Sequence, residues 1–108
     1  MLKTQPLKLT LPSRWLNLIQ QMLAAHVPNA EVWAYGSRVT GGSHDASDLD
    51  LVVRNPGVLS AQTRDLAELR GAFVESKLPI RVDVLDWAAI PESFHREILR
   101  AYVVLQSK

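Results

Sequence analysis

A chain of 108 residues, 47% hydrophobic and 21% charged, is long enough for one hydrophobic core and too short for two. Its formal net charge of +1 gives no strong field to draw it to nucleic acid or an acidic membrane, so a charged ligand has to be held by a local site. The lack of cysteine excludes disulfides and thiolate zinc sites, and no segment approaches the roughly 18 unbroken apolar residues of a membrane-spanning helix, which suits a soluble, cytoplasmic protein.

Residues 7–11, Leu-Lys-Leu-Thr-Leu, alternate as a strand does and suit either an edge strand or a segment laid over the core. Residues 1–12 as a whole form an extension of unassigned role. Pro12 and Ser13 open a first helix with Ser13 as its N-cap, and Trp15, Leu16, Ile19, Met22 and Leu23 recur at helical spacing on one face. Val27-Pro28-Asn29 ends it. Glu31 to Tyr35 reads as a short strand halted by Gly36, and residues 36–47 as a loop with one helical turn after Ser37. Asp48 to Val53 is a second strand, broken by Asn55-Pro56-Gly57.

A helix is predicted from Ser60 to about Lys77, with Leu66, Leu69 and Phe73 on one stripe and Gly71 as its weak point. Leu78-Pro79 stops it before a third strand, Ile80 to about Asp86. Pro91 suits the first turn of a last helix, in which Phe94, Ile98 and Tyr102 share a face. Val103 to Leu105 either continues the packing or adds a final strand. This order predicts an α/β (α+β) fold, a small mixed β-sheet flanked by helices, as a single domain over residues 1–108.

The chemistry concentrates in Gly36-Ser37, ten residues, then Asp48-Leu49-Asp50. Glycine lets backbone approach a phosphate closely, and a helical turn starting at Ser37 aims free N–H groups and a hydroxyl at it. Arg38 suits a charge-assisted contact to the same anion and equally a surface ion pair, while Ser47 can bond locally just ahead of the strand. Alternation turns Asp48 and Asp50 to one side, about 7 Å apart along a strand. Asp83 lies with Arg81 and Leu85 opposite Ile80, Val82 and Val84, so neighbouring second and third strands would bring it beside the other two. Three clustered carboxylates repel, which raises at least one pKa, and a divalent cation relieves that repulsion. Magnesium suits such a site because it prefers carboxylate oxygens and shares its remaining positions with phosphates. Two ions would divide the labour between activating a hydroxyl and steadying a triphosphate.

On these residues the chain resembles the nucleotidyltransferases of the polymerase-β superfamily, in particular the minimal nucleotidyltransferases. Their motif, Gly-Ser, ten residues, Asp-x-Asp, is met by Gly36, Ser37, Asp48 and Asp50, and their third, strand-borne acid by Asp83. The resemblance runs from about Trp15 to Leu105. It implies a polymerase-β-like fold and transfer of a nucleoside monophosphate, commonly AMP from ATP, to a hydroxyl with release of pyrophosphate. It further implies Asp48, Asp50 and Asp83 as catalytic metal ligands, with Gly36, Ser37, Arg38 and Ser47 on the nucleotide. Minimal members are typically paired with a helical HEPN protein, and many such pairs act as toxin and antitoxin. Larger relatives carry an acceptor-binding domain for which 108 residues leave no room.

Each of these residues also has a plainer role. Asp-x-Asp alone is most often solvated strand, and Ser37 can simply start a turn. Asp86 falls on the opposite face from Asp83 and reads as a helix cap or turn residue. His44-Asp45 sits in the loop, within reach of a substrate, although exposed loop histidines are usually just solvated; His26 and His95 lie near helix ends with no metal-site spacing. Trp15 and Trp33 read as core, and Trp87 and Tyr102 as core or partner-facing. The basic residues are dispersed, which excludes a dedicated nucleic-acid surface. A binding subunit acting by occlusion and a small-molecule nucleotidyltransferase are the competing readings.

Overall fold

The computed structural model describes residues 8–107, so the expectations for residues 1–7 and 108 lie outside it. Among the described residues four strands form one sheet: β1 (Glu31–Tyr35), β2 (Leu49–Arg54), β3 (Val82–Asp86) and β4 (Val103–Gln106). They lie in the order β3-β2-β1-β4, with β2 and β3 parallel and the other neighbours antiparallel. The helices are α1 (Ser13–His26), α2 (Ser37–Thr40), α3 (Leu66–Glu75) and α4 (Glu92–Arg100), with one 3-10 turn at Trp87–Ala89.

Strand alternation sorts the side chains onto two faces. Val32, Ala34, Leu49, Leu51, Val53 and Val84 face α1 and α3, which cover them with Ile19, Leu23, Leu69 and Phe73. Trp33 and Val52 face the other way, under Trp87 and α4's Ile98. Because both faces are covered, β2 carries a continuous buried run, Leu51-Val52-Val53. The predicted small mixed sheet flanked by helices is the architecture found.

Several boundaries moved, each for a local reason. Pro12, not Ser13, is the N-cap of α1, so Ser13 is already helical and caps nothing. Of the two roles open to the N-terminal segment, residues 8–11 take the second: they form no strand, and Leu9 and Leu11 pack on the core. The helix predicted from Ser60 begins only at Leu66, because Asp65 is left-handed at φ 67° and Thr63 N–H donates to Asp86. Its end comes at Glu75, where Ser76 turns extended. The second strand opens at Leu49 rather than Asp48, and the third at Val82 rather than Ile80. Pro91 is the N-cap of α4 rather than a residue within its first turn, and Tyr102 lies beyond the helix, stacked on Trp33 at 3.9 Å. Asp86 caps the 3-10 turn by accepting from Ala88 N–H, as its sequence position suggested.

The glycine-rich loop is held by Arg38, which is only 3% exposed. Its Nε donates to Ser47 O at 3.0 Å, Nη1 to Thr10 O at 2.8 Å and Nη2 to Asp45 O at 3.0 Å. Thr10 N–H donates back to Arg38 O at 2.7 Å. One guanidinium thereby ties residues 10, 45 and 47 to the turn that follows β1. Truncation would orphan several carbonyls at once, so Arg38→Ala should lower the unfolding free energy by about 2–4 kcal/mol in urea denaturation. Arg38→Lys should recover only part, because an ammonium cannot reproduce the planar fork.

Candidate active site

The sheet register builds the site. Tyr35 pairs with Asp50 across β1 and β2, and Asp50 pairs with Asp83 across β2 and β3. Residues directly opposite one another project to the same face, so Tyr35, Asp50 and Asp83 form one cross-strand row. Asp48 stands in the exposed segment just ahead of β2. Its charge still reaches Asp50: burial first, then Asp83 and Asp48, push the Asp50 carboxyl above its ordinary value. Burial, followed by the charges of Asp50 and Asp83, pushes the Tyr35 phenol up to about 12.

Gly36 ties this row to the turn. Its φ of 80° is one that side chains rarely tolerate, and a Cβ placed there would collide with Asp50 Oδ2. The carboxylate therefore lies directly over the glycine. Ser37 begins α2, where the first amide groups of a helical turn have no intrahelical acceptor. Ser47 Oγ accepts from His44 N–H at 2.9 Å, closing a turn within the loop, as its local bonding suggested.

Arg38 corrects one expectation. Its guanidinium is buried and donates to four backbone carbonyls, those of Thr10, His44, Asp45 and Ser47, so it is neither a surface ion pair nor free to grip a phosphate. Sequence reasoning also passed over the pairing of Arg81 Nε with Asp83 Oδ1 at 2.9 Å. Their i, i+2 spacing on one strand was the available signal. Tyr35 was missed as a neighbour of the carboxylates because that contact depends on register, which one sequence does not give.

Asp50 and Asp83 line a cleft of about 550 Å³ that runs along the outer edge of β3. Arg70 closes part of that edge by donating from Nε and Nη2 to Val84 O at 3.1 and 2.8 Å. Among the described residues, no three His, Asp or Glu side chains are gathered tightly enough to form a ready-made metal site. The donor set nonetheless fits a hard divalent cation: carboxylate oxygens alone, with one carboxyl left repelled by its neighbours. His95 is engaged elsewhere, stacked on Trp87 and bonded to its carbonyl.

The family described as Polymerase beta, Nucleotidyltransferase matches residues 17–108. A probable protein adenylyltransferase, MntA of Haemophilus influenzae, is 44% identical over 101 residues, spanning 94% of this chain and 87% of the relative. Two solved structures share the fold: a toxin–antitoxin crystal structure with AMP-PNP, with TM-score 0.69 and 21% identity, and a mutant of the toxin–antitoxin MntA–HpeT, with 0.67 and 20%. Each alignment covers 86% of this chain and 73% of the other.

Gly36→Ala should cost roughly 1–3 kcal/mol by chemical denaturation. Part of that loss should be recovered in Gly36→Ala/Asp50→Ala, which removes the colliding carboxylate; no recovery would leave backbone strain as the whole cause. The Asp50 pKa is raised on folding, so its contribution to stability is full below the ordinary carboxylate value and is lost as the pH rises from there through the folded value. Asp50→Asn should therefore raise the Tm at neutral pH, and the gain should vanish as the pH falls below the ordinary carboxylate range.

Proposed function

This chain belongs to the Polymerase beta, Nucleotidyltransferase family, and from that premise we propose that it transfers AMP from ATP to a hydroxyl of a partner protein. The partner is a HEPN-like helical protein, and the two form a cytoplasmic toxin–antitoxin pair with this chain as antitoxin. What carries the reading is the junction at Gly36, where a turn suited to phosphate lies under the carboxylate of Asp50. The adenylyltransferase named among its relatives, at 44% identity over nearly the whole chain, supports AMP as the group transferred and protein as the acceptor. The toxin–antitoxin assemblies sharing its fold support the pairing.

In this mechanism the acceptor oxygen forms a bond to the α-phosphorus as the bond to the pyrophosphate oxygen breaks, and pyrophosphate leaves. Asp48, Asp50 and Asp83 would hold magnesium, in two ions, which supplies charge neutralisation for the triphosphate and a lowered pKa for the attacking hydroxyl. Asp83 takes up the hydroxyl proton on a carboxylate oxygen. Gly36 and Ser37 hold a phosphate through backbone N–H groups and the serine hydroxyl. Ser47 and Arg38 act one step back, keeping the loop in place.

Incubation with ATP labelled at the α-phosphate, magnesium and the co-expressed helical partner should label the partner. Asp48→Ala and Asp50→Ala should each cut that transfer by at least about 100-fold, the scale expected when an electrostatic centre is dismantled. Equal labelling by wild type and both variants would refute the site. Full neutralisation of the toxin by the double variant would assign the antitoxin role to occlusion, and transfer to an aminoglycoside without the partner would assign a small-molecule acceptor.

A further inference from the structure

We propose that Arg81 is a positioning residue for the carboxylate centre: its guanidinium holds Asp83 as a stand-in cation and is displaced when a divalent metal ion binds. The inference rests on the reading of Asp83 as a metal ligand and adds a competitor for it. Among the described residues, Arg81 is the one cation paired with any of the three carboxylates, its Nε 2.9 Å from Asp83 Oδ1. Arg81 stands just ahead of β3 and two residues before Asp83, where its carbonyl extends the bonding to β2 by accepting from Leu49 N–H.

Three features make the contact a replaceable one. The Arg81 side chain is 74% exposed and that of Asp83 37%, and an ion pair open to water holds weakly. Arg81 is anchored through its backbone, its carbonyl accepting from Leu49 N–H at 2.9 Å, so the side chain can swing away while the β2–β3 ladder stays intact. The pair also lies on the cleft that Asp50 and Asp83 line, where the displaced guanidinium has open space.

The arrangement accounts for two observations together. No ready-made metal cluster exists among the described residues, although the register sets Asp83 directly beside Asp50. A guanidinium paired with one Asp83 oxygen occupies a position a metal ion would take and relieves part of the repulsion there. A divalent ion brings twice the charge and binds more than one carboxylate, so it outcompetes the arginine. The bare protein is thus spared an unscreened carboxylate cluster, at the expense of some metal affinity.

The test is binding of manganese alone, read from the paramagnetic resonance of free Mn²⁺ at constant ionic strength and pH. Arg81→Gln should bind Mn²⁺ about two- to five-fold more tightly than wild type, the range an exposed ion pair provides, with Arg81→Lys between them. Asp83→Asn should weaken binding, and in Arg81→Gln/Asp83→Asn the tightening should disappear. Unchanged or weaker binding in Arg81→Gln, with Asp83→Asn still weakened, overturns the role of Arg81 and leaves the metal reading intact. Tightening that survives in the double variant overturns it too, by showing a general field effect. Wild-type affinity in Asp83→Asn overturns the metal reading, and the inference with it.

Discussion

The close approach of the Asp50 carboxylate to Gly36 is the constraint around which the rest of the site is arranged. It exists because β1 and β2 are antiparallel in a register that sets Asp50 opposite Tyr35, the residue before the glycine. With a carboxylate overhead, only hydrogen fits on that Cα, and the φ of 80° turns the chain directly into α2. The turn then throws Arg38 inward, where it fastens the loop that delivers Asp48 to the start of β2. Phosphate-binding turn, loop and carboxylates are thus mechanically one unit.

The same closeness sets like charges together. Asp50 is half-buried, next to Asp83 in the ladder and within the field of Asp48, and its carboxyl resists ionisation accordingly. A fold selected for stability alone would place a neutral side chain there. Local conflict of this kind is expected at a functional site, where a bound cation resolves what the bare protein tolerates. The Arg81 contact is a partial, solvent-exposed remedy.

How far the sequence was legible follows from the range of the forces involved. Strand alternation and the breakers Gly36, Pro56 and Pro79 are local, and they sufficed for the strand order along the chain and for the face shared by Asp50 and Asp83. Choosing Asp83 over Asp86 rested on alternation alone, and Asp86 indeed turns away to cap Ala88 and hold Thr63. That same tertiary contact is what misled the helix prediction: residues 60–65 have tolerable helical propensity, but Thr63 is drawn to Asp86 and Asp65 adopts a left-handed turn. Arg38 misled for a related reason. An arginine beside a phosphate-binding motif is most simply read as a ligand, and nothing local reveals that carbonyls 10, 45 and 47 will converge on it.

The opposite end of the β1–β2 ladder shows how the strained rim is tolerated. There the terminal pair is Glu31 and Arg54, opposite charges in direct register and bonded to each other. The Arg54 guanidinium also lies 3.9 Å from the Trp33 ring centre and 4.5 Å from that of Trp87, a cation enclosed by two aromatic faces. Trp33 in turn stacks on Tyr102 from the approach to β4, and Trp87 on His95 of α4. One ladder therefore carries attraction at one end and repulsion at the other. Because β2 and β3 are parallel, Asp50 and Asp83 are each the second residue of their strand and meet on the repulsive rim, where Tyr35 closes β1. An antiparallel β3 would have carried its early residues to the far end of β2, beside the aromatic lock. The crossover through α3 that makes β3 parallel is thus what brings the third carboxylate to the turn at Gly36, at the end of the ladder opposite the Glu31–Arg54 pair.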